Sequence, residues 1–261
     1  MRLLDTSTLA LITKNDNDLP PYAILSHTWG KDEEEVTFED IKHRMAYQSV
    51  HSSWLGRSIR QKPGFSKVRD SAALAKAEGY GHIWIDTCCI DKSSSAELSE
   101  AINSIFRYYR DSAVCYVYLI DVETNTSTED SREEDLDGTF EEELEESLRR
   151  SRWFTRGWML QELVAPGNVE FYTKAWQLTD TKAEGSSTKH MPRDADLILP
   201  HLLIRITGIP MSALESSSRL TLSQFSIAQR MSWASRRETT RIEDAASSCG
   251  RELCADYMLL E

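Results

Sequence analysis

The residues most suggestive of chemistry lie in one stretch, SRWFTRGWMLQELVAP at 151–166, which holds two tryptophans, two arginines and a single carboxylate, Glu162. Helical spacing sets Trp158 and Glu162 four residues apart on one face, with the acid beside a large apolar ring. Desolvating a carboxylate there is costly unless it serves a purpose. The plain alternative is a solvated glutamate on an amphipathic helix. A Pro-Gly step, Pro166-Gly167, ends the stretch.

Two further groups of polar residues follow apolar runs. YAILSHTWG at 22–30 reads as a buried strand whose carboxyl end presents Ser26, His27 and Thr28 before Trp29 and a glycine turn. HIWID at 82–86 reads as a second strand, continuing to Cys89-Ile90 and ending in Asp91-Lys92 and three serines. Asp86 and Asp91 could bind hydroxyl groups or order the loop from 90 to 95. Asp91 and Ser94 also fit a turn and a helix cap, and His27 and Thr28 could simply satisfy a strand end. Cys88 and Cys89 are adjacent, so in a strand they face opposite ways and suit neither a disulfide nor a shared metal. Gly79 and Gly81 precede their strand, so they are not a phosphate-binding turn.

The elements that must position these residues follow from periodicity. Val68, Ala72 and Ala75 mark a helix over 67–78 stopped by Gly79, and Ser94 with Glu97 forms a capping box before the stripe Leu98, Ile102, Ile105 and Tyr109. A short helix is expected near Phe38–Met45. VCYVYLI at 114–120 is a strand apolar on nearly every position, which suits the middle of a sheet, and VEFY at 169–172 is a fourth. Strands alternating with helices predict an α/β fold: an open, mainly parallel sheet flanked by helices, with ligands outside the carboxyl ends of the strands. Residues 1–21 read as an N-terminal arm, 22–174 as the core, and 175–261 as a helical appendage with helices near 197–203 and 225–234.

The 261-residue chain carries a formal charge of −12, but Glu123 to Glu146 hold twelve acidic residues and one basic, so nearly all of the excess sits in one segment. That acidic insertion argues against nucleic-acid binding there. No apolar run reaches the roughly 20 residues needed to span a bilayer. Five cysteines in no framework spacing suit a reducing compartment, and the six scattered histidines suit no metal site. A cytoplasmic protein is expected.

With these elements placed, the strings YAILSHTWG, WIDTCCIDKSSSAELSEAIN, CYVYLIDV, SRWFTRGWMLQELVAP and RMSWASRRETTRIED, in that order over 22–244, resemble the fungal heterokaryon-incompatibility (HET) domain. The resemblance implies an intracellular domain that triggers programmed cell death when unlike fungal cells fuse, acting with incompatibility partner proteins or as a homo-oligomer. After Asp244-Ala245 the chain departs from the family pattern, and the tail 245–261 reads as a truncated end. The order of elements and Trp158-Met-Leu160-Gln-Glu162-Leu163 also resemble TIR domains, a flavodoxin-like fold. In NAD-cleaving TIR domains the glutamate of this stretch is catalytic, which implies Glu162 as catalyst. NAD would then be substrate and not a cofactor, with Ser26, His27, Thr28, Trp29, Asp86, Asp91 and Trp158 as candidate ligand contacts. Such cleavage passes through an oxocarbenium-like state that a carboxylate near the ribose stabilises. The competing expectation is a non-catalytic module that signals by assembly.

Overall fold

A computed structural model describes residues 1–16, 18–48, 59–123, 137–183, 198–214, 222, 224–235 and 237. The atypical tail, Arg236, Arg241 and part of the acidic insertion lie outside these residues. The chain divides into two compact units, Met1–Tyr116 and Val117–Glu261.

In the first unit the strands run in the order β2 (Leu11–Thr13), β1 (Arg2–Asp5), β4 (His82–Trp84), β3 (Ala23–His27), then the first half of β5 (Val114–Leu119). β3 and β4 are parallel, with Ala23 opposite Ile83 and Ile24 opposite Trp84. The N-terminal arm is itself sheet: β1 pairs antiparallel with both β2 and β4. All five residues of β3 are buried. That is why the string reads as a continuous apolar run and not as an alternation.

Among the described residues four helices pack in this unit: α1 (Phe38–Gln48), α2 (Phe65–Ala77), α3 (Asp86–Cys89) and α4 (Ser95–Arg110). The buried stripe of α2 is Lys67, Val68, Ser71, Ala72 and Ala75. Gly79 ends it with a φ of +91°, which lets the Tyr80 N–H return to the Ala75 carbonyl at 2.8 Å. Ser94 caps α4 by accepting from the Glu97 N–H at 3.3 Å. The Glu97 carboxylate, expected to complete a capping box on Ser94, instead accepts from the Asp91 N–H at 2.8 Å.

One expected strand is corrected. HIWID does not continue to Ile90: β4 stops at Trp84, Ile85 is extended, and Asp86–Cys89 form one helical turn in which the Cys89 N–H reaches the Ile85 carbonyl at 2.8 Å. The turn starts where the Asp86 carboxylate accepts the Thr87 N–H at 2.7 Å, a local bond that competes with the strand ladder. Trp84 is buried against Tyr108 and Tyr109, and the hydroxyls of Tyr22 and Tyr109 are satisfied by the carbonyls of Tyr108 and Leu25.

The second unit holds the rest of β5, β6 (Asn168–Thr173) and β7 (Leu178–Ala183), the last two an antiparallel pair. β7, LTDTKA, has too few apolar residues to stand out as a strand in the sequence. Its helices are α5 (Asp137–Arg150), α6 (Arg152–Thr155), α7 (Met159–Val164), α8 (Ile198–Thr207), α9 (Met211–Leu214) and α10 (Ile227–Ala234). The stretch 151–166, expected as one helix, is two. Arg156 has an extended backbone, ψ 139°, immediately before Gly157, a poor helix former. Ser151 starts α6 by accepting from the Trp153 N–H, while Asp121 accepts from the Ser151 hydroxyl at 2.7 Å and the Arg152 N–H at 2.9 Å. Trp153 and Phe154 then pack on Phe171 of β6.

Candidate functional site

In the first unit the carboxyl ends of β3 and β4 carry a connected polar cluster. Ser26, His27 and Thr28 are buried, and Trp29, which follows them, is 38% exposed. His27 and Asp86 meet: the imidazole Nε2 lies 3.1 Å from Asp86 Oδ1. The Trp29 indole N–H donates to Asp86 Oδ2 at 2.8 Å. The Lys92 ammonium sits 3.8 Å from the centre of the Trp29 ring, a cation–π contact.

Behind His27 lies an ion pair. Lys67 Nζ is 2.9 Å from His27 Nδ1 and 2.6 Å from Glu35 Oε1, with both side chains of that ion pair less than a tenth exposed. An ammonium has donors only, so Nδ1 must accept and Nε2 carries the proton donated to Asp86. The 3.3 Å approach of Nδ1 to the Thr28 carbonyl is therefore a contact without a proton. Glu35 Oε1 also accepts from the Gly30 N–H at 2.6 Å, which ties the glycine turn to the pair. The result is a chain of polar contacts, Glu35–Lys67–His27–Asp86–Trp29, running from the interior to the rim.

Burial opposes the charged form of Asp86, but the His27 hydrogen bond, the nearby charges and the Thr87 N–H outweigh it and hold the group down to about 2. With donors from His27, Thr87 and Trp29, most of the acceptor capacity of Asp86 is already used. Asp91 accepts from the Ser93 N–H at 2.9 Å and its hydroxyl at 2.5 Å, so it shapes the turn before α4.

Glu35, Lys67 and Lys92 were not among the sequence-derived candidates. Lys67 had a readable signal: it falls on the same stripe as Val68, Ser71, Ala72 and Ala75, where a charge must find a partner. Glu35 had none, being the last of the run Asp32-Glu-Glu-Glu35.

Cys88 and Cys89 are buried, and burial pushes the Cys88 thiol up and that of Cys89 up to about 12. Cys88 Sγ is engaged with the Val36 carbonyl at 3.3 Å. Neither thiol suits nucleophilic work, which needs the thiolate.

Trp158 and Glu162 belong to the second unit. Trp158 is the N-cap residue of α7, half-buried and with helical dihedrals, so the four-residue spacing to Glu162 survives the break in the helix. All six residues of α7 are buried, and Glu162 is 6% exposed. Arg237 lies close enough for its charge to act with that of Glu162. Its guanidinium donates to the carbonyls of Arg156 at 3.1 Å and Trp233 at 3.3 Å. Burial lowers Arg237 to about 10, and the Glu162 charge offsets part of that loss.

The residues from Tyr22 to Glu162 match the family model described as heterokaryon incompatibility protein (HET). An α/β fold with this matched segment defines the class, and the chain belongs to the HET family. It is 43% identical over 252 residues to vegetative incompatibility protein HET-E-1 of Podospora anserina, a match covering 95% of this chain and 16% of that protein. The chain thus spans about a sixth of the curated relative it matches. No solved structure matches it. Among the described residues no helix is long and apolar enough to cross a membrane.

Proposed function

We propose that this chain acts in heterokaryon incompatibility as a cell-death module, and that it does so by hydrolysing the nicotinamide–ribose bond of NAD with Glu162 as the catalytic carboxylate. The observation that carries the reading is a carboxylate kept almost wholly buried within a helix whose every residue is buried. A charge in that position costs several kcal/mol unless it is compensated or used. In the reaction the C1′–N bond breaks and its electron pair goes to the pyridinium nitrogen. Water adds to C1′ and releases one proton. A fixed carboxylate stabilises the cationic sugar in between. Trp158, at the start of the same helix, supplies an apolar wall for the leaving ring.

The test is NAD consumption by the concentrated, deliberately clustered chain, followed chromatographically as nicotinamide release. Wild type should turn NAD over, and Glu162→Gln should lose at least a hundredfold of rate, about 2.7 kcal/mol of barrier, with an unchanged circular dichroism spectrum. A clustered wild type that leaves NAD intact removes the enzyme reading. The module would then act by assembly with partners or with itself. That second reading has its own support in Arg237, because a half-buried guanidinium beside Glu162 suits a purely structural acid.

A further inference from the structure

We infer that the first unit contains a binding cavity for a small aromatic ammonium compound, separate from Glu162 and from the His27–Asp86 cluster. A cavity of about 210 Å³ opens between β1, the end of β4 and the face of α4. An apolar cavity of roughly 150 Å³ is enough to take up benzene, so this one fits a single ring with a short tail. Its apolar lining includes Trp84, Ala101 and Tyr108, with the rings of Trp84 and Tyr108 tilted against each other at 5.7 Å.

The charges at its edge select the sign of the ligand. Arg2, Glu97 and Glu100 line the cavity. Arg2 is already held: it is ion-paired with Glu97, its Nε donates to the Cys89 carbonyl at 3.1 Å, and its guanidinium stacks 4.3 Å from the Phe38 ring centre. Met1 also lines the cavity, but its ammonium is neutralised by Asp16 at 2.5 Å; with Arg2 likewise neutralised by Glu97, Glu100 is the charge left over, a negative one. Glu97, Glu100, Ala101 and Tyr108 fall on one face of α4 by their spacing, so the carboxylate and the apolar lining address the same ligand. An aromatic body against Trp84 and Tyr108 with an ammonium toward Glu100 satisfies both, and aromatic faces favour a cation besides. An anionic ligand would face the Glu100 carboxylate, with the two lining cations, Arg2 and the Met1 ammonium, already ion-paired.

Ligand-observed NMR on the full chain tests this with phenethylamine, phenethyl alcohol and phenylpropionate as probes. Phenethylamine should bind at least about tenfold tighter than the alcohol, and the carboxylate weakest. Glu100→Lys, at an exposed position, should remove the preference for the amine. Ala101→Leu should fill the cavity and abolish binding of all three. Should Ala101→Leu fail to fold, the Glu100→Lys comparison decides. Glu162→Gln should leave binding unchanged, so failure of NAD hydrolysis and failure of this site are separately visible. No amine binding near 10 mM, where even a Kd of ~1 mM would saturate, overturns the inference. So does equal binding of amine and alcohol, or amine binding indifferent to Glu100→Lys.

Discussion

Lys67→Met is the substitution that most directly probes the first unit. Lys67 and Glu35 side chains are 5% and 7% exposed and their charged atoms are 2.6 Å apart. Removing the ammonium leaves the Glu35 carboxylate buried with the Gly30 N–H as its hydrogen-bond donor and takes the donor from His27 Nδ1. Breaking one side of a buried ion pair costs about 3–5 kcal/mol, a large part of the total stability of an ordinary domain. Glu35→Gln on top of Lys67→Met removes the orphaned charge while keeping an acceptor for Gly30. The double variant should therefore recover to within about 2 kcal/mol of wild type, a coupling that a four-member cycle measures. Urea unfolding followed by circular dichroism supplies the four free energies. Arg69→Gln is the internal control: on the same helix, Arg69 pairs with Asp70 at 2.6 Å but is 59% exposed, so its loss should cost under about 1 kcal/mol. A Lys67→Met cost as small as that of Arg69→Gln, or strictly additive effects of Lys67→Met and Glu35→Gln, would refute the network.

Gly64→Ala should destabilise by about 1–3 kcal/mol, because a Cβ there would stand 2.7 Å from the Glu34 carbonyl oxygen and 3.0 Å from Glu35 Oε2, while Gly81→Ala, with nothing near its Cβ, should be close to neutral in the same urea titration. The Asp86 carboxyl is held from an ordinary 3.8 down to about 2, so its contribution is complete above pH ~4 and disappears as the pH falls through ~2. Urea midpoints against pH should show wild type exceeding Asp86→Asn by about 2 kcal/mol at neutral pH, with the two curves converging near pH 2; parallel curves would refute the assignment.

The α/β class was legible because β3 and β5 are buried at every position and so appear as unbroken apolar runs, and because α2 and α4 each show a helical stripe bounded by a glycine stop or a serine cap. The antiparallel strands at both ends were less legible. β1 and β2 are four and three residues long, and β7, LTDTKA, has few apolar residues to mark it. The break between α6 and α7 turns on the single residue Arg156 before a glycine, a backbone choice that the surrounding apolar spacing conceals. In the site, His27, Trp29 and Asp86 could be nominated together because each lies at or just beyond the carboxyl end of a strand. The stripe of α2 marks Lys67 as a buried charge, but nothing in a linear reading names His27 as its partner, since hydrogen bonding across 40 residues leaves no periodicity.

This geometry also changes what the conspicuous polar residues at the ends of β3 and β4 can be asked to do. His27 has both ring nitrogens in contact within the protein, and Asp86 holds two side-chain donors and one backbone donor. Groups so fully engaged position other groups better than they bind a ligand directly, since a ligand would have to displace a bond already made in a largely buried setting. What they position is the Trp29 ring, fixed by its indole N–H and covered by Lys92. Trp29 and Lys92 are the exposed members of this cluster, Asp86 being only partly accessible, and so they are the members whose substitution should alter binding without first altering the fold.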